Sequence, residues 1–437
     1  MLIYFVEVIK GVIKLALFEY GLLVSFFIYN FAQTNKLLLG MKRIKLLFLP
    51  VVLAGGLNAY AASSLECALS QAVAESESES KVSKEEAAAK VNEAKGGLKK
   101  VMQIAAPSVN FGGYITGKYS ITDRSGVSSN GGFDLRFLRL YLDGNCFKDF
   151  FYRLQLEACG APGVDKGPRI LDAFVEWQKL DFLKIKMGQF KRPFGFENPY
   201  SPLNVGLGAY SQATTKLASI SDWNGEHSSG GRDLGAQIQG DLFPGNEKGH
   251  YWFHYQLGVF NGQGINHADK DNFKDVIGGV WFSPLKELSI GAFGWNGRYT
   301  NESYTGAENT LKQVKRVRWG TGIKYESDWT VRSEYMSSVG GSVKDATAPD
   351  RADSWYATIG VPVVKNLKLY GRWDVYRNAK TWDSMKTDYG LSANYFLGKN
   401  FILQLNYTFT DDRWVRNTQP LLDSRYNTFD FQIYARF

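Results

Sequence analysis

The stretch TFDFQIYARF at residues 428–437 alternates strictly between apolar and polar side chains. Phe429, Phe431 and Ile433 fall on one face of an extended chain, and the acidic and amide side chains between them fall on the other. A period of two residues predicts a β-strand with one apolar side. Because a strand that faces lipid cannot leave its backbone edge unpaired, this pattern predicts a strand that closes a transmembrane barrel.

The same alternation recurs along the chain from Val109 onward. We therefore predict an all-β fold, a transmembrane antiparallel β-barrel of about 16 strands joined alternately by short turns and longer loops. A barrel of this size leaves a water-filled lumen. The predicted strands span residues 109–121, 133–144, 148–158, 168–179, 181–190, 231–243, 249–261, 273–283, 286–299, 314–326, 328–339, 352–363, 365–376, 385–397, 399–411 and 425–437.

The composition favours a barrel over a bundle of membrane helices. Aromatic residues make up 15% of the chain, and the mean hydropathy is −0.24, as expected when half of each strand is polar. The net charge of +8 is a mild bias towards anionic partners. Cys146 and Cys159 are predicted at opposite ends of one hairpin arm, too far apart for a disulfide.

The first 106 residues have the character of targeting and linker sequence. Residues 41–61 have a basic start, an apolar middle and an Ala-Tyr-Ala exit, which predicts a secretory signal peptide. We therefore expect residues 1–40 to be an upstream start-site extension, the alternative being an inner-membrane anchor. Residues 62–106 contain an acidic low-complexity run and a short helical pattern, typical of a periplasmic linker. The barrel is predicted over residues 107–437.

One predicted loop, between strands five and six, is about 40 residues long. Its small and aromatic residues argue against simple disorder, so we expect it to fold inward and narrow the channel. Basic residues lie within the loop and at both of its ends: Lys191, Arg192, Lys216 and Arg232.

Four stretches resemble the phosphate-selective porin O and P family: LRLYLDGNCFKDFFYRLQLE, MGQFKRPFGFE, GGRDLGAQIQGDL and YQLGVFNGQG. The resemblance extends over residues 109–437 and implies a trimeric porin in the outer membrane of a Gram-negative bacterium, with an inward-folded third loop. In the best-known members of that family, a ladder of lumenal Arg and Lys guides phosphate to a constriction. Outer-membrane barrels also commonly end in a strand whose final Phe, here Phe437, is recognised by the barrel assembly machinery.

The resemblance and the alternation together indicate passive diffusion of small anions, phosphate among them, through a channel narrowed by the third loop. We expect the anion site at the constriction to comprise Lys191, Arg192, Lys216, Arg232, Arg139 and Arg153. The competing interpretation is that such wall charges pair across strands and set no selectivity, because inward-facing acids nearly balance the bases. Arg136 is placed less firmly, because the alternation of FDLRFLRL breaks near residue 137.

Other functions fit the pattern less well. A general or sugar-selective porin without anion preference is the main alternative, since lumenal Tyr370 and Tyr376 could stack on sugars. A structural barrel or adhesin with a plugged lumen is another. An enzyme is a third, but His250 and His254 stand near no Ser motif. We expect lipid and a homotrimer as partners, and no catalytic residue, metal, cofactor or nucleic acid.

Overall fold

The computed structural model describes residues 108–127, 130–159, 168–218, 220–301, 303–419 and 421–437. The three predicted N-terminal segments (1–40, 41–61 and 62–106) lie outside the described residues, so their boundaries remain predictions. None of the short helices in the described part of the chain has the length and apolar character needed to cross a bilayer.

Sixteen antiparallel strands form one closed barrel, as predicted, and each begins and ends within two residues of its predicted span. Every strand pairs with its neighbours in the sequence, and the last strand pairs with the first. The strands are β1 (Asn110–Thr122), β2 (Gly131–Cys146), β3 (Phe150–Glu157), β4 (Arg169–Leu180), β5 (Leu183–Lys191), β6 (Arg232–Pro244), β7 (Tyr251–Phe260), β8 (Asp275–Leu285), β9 (Leu288–Thr300), β10 (Gln313–Glu326), β11 (Thr330–Val339), β12 (Arg351–Val364), β13 (Leu367–Asn378), β14 (Met385–Leu397), β15 (Phe401–Asp412) and β16 (Arg425–Arg436).

The barrel closes between β16 and β1. The Gly113 amide donates to the Phe437 carbonyl at 2.9 Å, and the Phe437 amide donates to the Gly113 carbonyl at 3.0 Å. The apolar face of the closing strand points outward, with Phe429 48% and Ile433 37% exposed, whereas Gln432 on the opposite face is fully buried. Each of the described strands therefore has two neighbours, so none of them leaves an open sheet edge towards lipid.

The connections differ between the two ends of the barrel. At one end, seven turns have two to six residues each: 147–149, 181–182, 245–250, 286–287, 327–329, 365–366 and 398–400. At the other end lie eight loops, of which the third, residues 192–231, is the longest. The eighth loop begins with the one-turn helix α1 (Arg413–Thr418), whose first turn is capped by the Asp412 side chain accepting from the Val415 amide.

The break in alternation near residue 137 is a β-bulge. The register between β1 and β2 shifts between Thr116 and Gly117, and Arg136 is the extra residue on β2. Its guanidinium points into the lumen, where it donates to Gln432 Oε1 at 2.6 Å. Arg136 is therefore a lumenal base, although simple alternation did not place it there.

Cys146 and Cys159 are both free.

Candidate functional site: the third loop inside the barrel

The sequence KRPFGFE turns the chain into the lumen after β5. Pro193 has no amide hydrogen to continue the strand, and it restricts the backbone of the preceding residue. Gly195 adopts a φ of +81°, and a Cβ at this position would lie 2.5 Å from the Met336 Cε of β11. Glycine therefore supplies both the left-handed turn and the close approach of the loop backbone to the wall.

The first arm of the third loop docks on a buried carboxylate of β11. Glu334 accepts hydrogen bonds from the Phe196 amide at 2.6 Å and from the Glu197 amide at 2.9 Å. The Tyr356 hydroxyl of β12 donates to the same carboxylate at 2.6 Å. One lumenal acid thus satisfies two backbone donors that would otherwise be buried without partners.

Glu197 fixes the same arm to β13 through its own side chain. Its carboxylate is fully buried and forms an ion pair with Arg372. It also accepts from the Ser211 amide at 2.8 Å and from the Ser211 hydroxyl at 2.6 Å, which joins the outgoing and returning arms of the loop. Burial by itself raises the pKa of Glu197, but Arg372 and the bonds from Ser211 hold that pKa below its usual value. Glu197 is therefore a charged anchor.

The tip of the loop reaches the side of the barrel opposite β5. The Gly206 carbonyl accepts from Asn394 Nδ2 of β14 at 2.7 Å and from Gln404 Nε2 of β15 at 3.3 Å. Gly206 has a φ of +88°, and a Cβ there would lie 2.5 Å from the Tyr370 ring. Because β5 and β14 are nine strands apart along one side of a sixteen-stranded ring, the loop crosses the lumen.

The returning arm packs on β13, β12, β11 and β10. The Gln212 amide donates to Asp374 Oδ2 at 2.8 Å, and a π-helical turn follows at Ala213–Leu217. Arg318 of β10 donates to the carbonyl of Leu217 at 2.7 Å. Its Nη2 also donates to both carboxylate oxygens of Asp222, at 2.7 and 2.8 Å. The helical turn is thereby held against the wall at its end.

Buried ion pairs join the two ends of the loop. Arg192, at its start, pairs with Glu226 at 3.0 Å, near its end, and with Asp233 of β6 at 2.7 Å. Arg316 of β10 contacts the same Glu226 and pairs with Asp275 of β8 at 3.0 Å. The Arg192 side chain is completely buried, so its charge is neutralised by protein carboxylates rather than presented to the lumen.

Two other predicted site residues are also paired and buried. Arg139 donates to Glu157 at 2.6 Å and to the Tyr114 hydroxyl at 2.9 Å. Arg232 forms a forked pair with Asp172, at 2.7 and 3.0 Å. These contacts match the competing interpretation, in which bases on the wall pair with acids on nearby strands.

Lys191 bonds to the third loop instead of to a carboxylate. Its ammonium group donates to the carbonyls of Asn198 and Tyr200, both at 2.6 Å, and to the Tyr210 hydroxyl at 3.2 Å. All three partners belong to the loop, so Lys191 holds the outgoing arm close to the end of β5. Its charge is surrounded by neutral acceptors.

Arg153 and Lys216 are only partly buried, unlike Arg139, Arg192 and Arg232, and they lack the three loop hydrogen bonds that hold the partly buried Lys191. The Arg153 Nη1 atom lies 3.6 Å from Asp143 Oδ2, and 32% of the Arg153 side chain is exposed. Lys216 is half-buried in the π-helical turn, and within the described ranges its ammonium group has no ion-pair partner. Burial lowers the pKa of Lys216, and the positive charge of Lys386 lowers it further.

The sequence reasoning missed Arg316, which connects the loop to β8 and β10. The available signal was the alternation of VKRVRW, which places Arg316 on the same face as Arg318. Its acidic partner Glu226 lies 90 residues away along the chain, and no local pattern connects the two.

The two histidines considered for catalysis line one small cavity near the short-turn end, of about 140 Å³. His250 Nε2 contacts the Ser283 carbonyl at 2.8 Å, while His254 contacts Asp241 and stacks on Trp281 at 3.9 Å. In the part of the chain that the structure describes, no three His, Cys, Asp or Glu side chains are grouped to hold a metal ion.

Sequence comparison agrees with the resemblance noted in the strands and the third loop. The family model described as phosphate-selective porin O and P matches residues 109–224, which cover β1 to β5 and most of the third loop. The resemblance to this family is thereby confirmed over residues 109–224, which include two of the four stretches, and it stays a prediction for the remainder of the barrel. No curated protein matches the chain significantly in sequence.

Solved structures show the same fold at low sequence identity. An anion-selective porin from Comamonas acidovorans is 13% identical, with a TM-score of 0.55, and the match covers 76% of this chain and 100% of that one. OmpF of Salmonella typhi, in complex with daunomycin, is 12% identical, with a TM-score of 0.53 and coverage of 75% and 97%. The trimer form of OmpT, an outer membrane protein of Vibrio cholerae, is 12% identical, with a TM-score of 0.50 and coverage of 76% and 99%.

Proposed function

Because residues 109–224 match phosphate-selective porin O and P, we propose that the chain is an outer-membrane porin for small anions, phosphate among them. Solutes diffuse passively through the water-filled lumen, and the third loop narrows their path. The observation that carries the proposal is the placement of this loop, which crosses the lumen of a closed barrel and is bonded to the wall on both sides. No bond chemistry and no energy input are part of this function.

The anion preference is supported by how the lumenal ion pairs are oriented along β1 to β6. In the pair of Arg153 with Asp143, the basic side chain is 32% exposed and the acidic one 16%. The base is also the more exposed partner in three further pairs, Lys118–Asp430, Lys184–Asp241 and Lys186–Glu176. In these four pairs lumenal water meets mainly the positive end, which lowers the barrier for an anion, whereas in the pair of Arg232 with Asp172 the acid is slightly more exposed.

The predicted anion site then divides into two groups of residues. Lys216 and Arg153 present charge to the solute, and the Arg153 guanidinium can hold a phosphate through two parallel hydrogen bonds. Arg139, Arg192 and Arg232 act indirectly, since their ion pairs shape the constriction. Lys191 belongs to this second group through its bonds to the loop. On β10 and β11 the pair of Arg332 with Glu326 has the opposite orientation. Its acidic side chain is the more exposed, which works against anion preference there.

The cellular setting follows from the same proposal. We place the barrel in the outer membrane, with lipid against its apolar outer face, after removal of a signal peptide at residues 41–61. We also propose a homotrimer and recognition of the β16 strand, with Phe437, by the barrel assembly machinery. The trimer form of the OmpT structure is consistent with such an assembly for this fold.

The test is the reversal potential of the purified mature protein in a planar bilayer under a KCl gradient. We expect a chloride-selective potential and a current that phosphate blocks. Arg153→Ala should weaken both effects because it removes a partly exposed positive charge. Lys216→Ala should also weaken both, because it removes a half-buried lysine that has no ion-pair partner among the described residues. Lys312→Ala is the matched control, since it removes an exposed lysine from the loop at 301–312.

Two results would overturn the proposal. A potential near zero or favouring potassium would show that the paired charges cancel, and the channel would then be a general porin. Absence of any current from correctly folded protein would show that the third loop closes the lumen.

A further inference from the structure

Three arginine side chains converge on one indole ring inside the barrel. The guanidinium carbons of Arg192, Arg316 and Arg318 lie 5.0, 4.7 and 4.6 Å from the centroid of the Trp295 ring. Trp295 belongs to β9 and is almost completely buried. Its indole N–H donates to Asp275 Oδ2 at 2.8 Å, so the ring is held in place by its own hydrogen bond.

These contacts connect both ends of the third loop to the wall. Arg192 starts the loop, and Phe194, two residues later, packs edge-to-face on the same indole at 5.7 Å. Arg316 and Arg318 bind Glu226 and Asp222, which lie near the end of the loop. Trp295 therefore touches the outgoing arm directly and contacts both arginines that hold the returning arm.

The ring has a physical role that the carboxylates alone do not fill. Three guanidinium groups crowded together repel one another, and each added carboxylate would be another ion to desolvate. The face of an indole carries partial negative charge and attracts cations without being an ion itself. The ring also keeps water away from the ion pairs, and attraction between charges is stronger where water is excluded.

We infer that Trp295 is a positioning residue for the constriction, which holds the third loop across the lumen through Arg192, Arg316 and Arg318. The inference rests on the proposed porin function, because its consequence is the size and selectivity of the channel. Trp295 itself touches no solute. Its loss frees the ends of the loop while leaving the sixteen-stranded wall intact.

The first measurement is the rate at which trypsin cleaves the folded protein after Lys216. Cleavage requires the third loop to leave the wall, so its rate follows the population of the open loop. We expect cleavage of Trp295→Ala to be at least roughly tenfold faster than that of wild type, because several desolvated cation–π contacts are lost together. Trp319→Ala, which removes an indole from the outer face of β10, should be cleaved at the wild-type rate.

The second measurement is single-channel conductance with the reversal potential. Trp295→Ala should show a larger conductance and weaker ion selectivity than wild type, since a displaced loop widens the path. Trp295→Phe should largely restore both, because it keeps an aromatic face, although it loses the hydrogen bond to Asp275. Trp295→Leu should not restore them, because it keeps apolar bulk without the negative ring face.

The outcomes separate this inference from the proposed function. If wild type shows no anion selectivity but trypsin and conductance distinguish Trp295→Ala from Trp319→Ala, the positioning role stands and the anion proposal falls. If Trp295→Ala matches wild type in cleavage and conductance, the positioning role is refuted. If Trp295→Ala does not fold, the comparison of Trp295→Phe with Trp295→Leu decides, and equal behaviour of these two refutes the role of the ring face.

Discussion

Removing the charge of Glu197 tests whether a buried ion pair holds the third loop across the lumen. Glu197 is fully buried, and the Arg372 side chain with which it pairs is almost completely buried. Breaking a buried pair by removing one partner costs about 3–5 kcal/mol. In Glu197→Gln the amide oxygen can still accept a hydrogen bond from Ser211, so we expect the lower end, about 3 kcal/mol.

A loss of this size is large enough to measure as loop opening. About 1.4 kcal/mol corresponds to a tenfold change in an equilibrium constant, so the open population of the loop should rise roughly a hundredfold. We expect trypsin to cleave folded Glu197→Gln faster after Lys216 by about that factor, in the regime where opening is fast compared with cleavage. Glu308→Gln, on the exposed loop at 301–312, is the matched control and should be cleaved at the wild-type rate.

A double-mutant cycle isolates the pair itself. Arg372→Met should also open the loop, because it leaves the Glu197 carboxylate buried without its cation. The double variant, Glu197→Gln with Arg372→Met, should be less destabilised than the sum of the two single variants, by about 1–3 kcal/mol. Effects that simply add would refute the reasoning, and so would wild-type cleavage of Glu197→Gln. Retention of the heat-resistant folded form on a gel confirms that the barrel is intact.

Further predictions concern the channel charge, the loop tip and the closing strand. Because burial and the nearby charge of Lys386 lower the pKa of Lys216, this lysine becomes neutral at a lower pH than an ordinary lysine. Anion selectivity measured by reversal potential should therefore start to fall with rising pH earlier in wild type than in Lys216→Arg, and a coincident fall would contradict this. Gly206→Ala should displace the loop tip and raise conductance, since its Cβ would meet the Tyr370 ring at 2.5 Å, whereas Gly306→Ala, which has a similar positive φ but open space around it, should conduct normally. Deleting Phe437 should reduce the yield of folded barrel in outer-membrane fractions, because its backbone bonds twice to β1, and an unchanged yield would argue against this closing role.

Some features of the wall could be predicted from the sequence because their causes are local. A residue on a barrel strand meets either lipid or the lumen, so alternation in VRWGTGIKYE or TFDFQIYARF is sufficient to define the face of each side chain. Arg318 and Arg372 lie buried on the inner face of the barrel, as this alternation requires. The bulge at Arg136 was visible only as a break in that alternation, since its direction depends on the register with β1.

The ion pairs could not be predicted, because they join residues that are distant in the sequence. Arg192 finds its two acids 34 and 41 residues further along the chain, and Arg316 binds Glu226 across 90 residues. The long gap between predicted strands five and six indicated an inward loop, but the sequence did not specify its course along the wall.

The sequence by itself determined the strands, their inward and outward faces and the existence of a long third loop, because the contrast between lipid and water is recorded residue by residue. Only the tertiary structure decided that Arg139, Arg192 and Arg232 are neutralised by carboxylates while Lys216 remains without an ion-pair partner among the described residues. The physical reason is that the free energy of a charge depends on burial and on neighbours brought together by folding, and those neighbours are fixed only when the barrel closes around the loop.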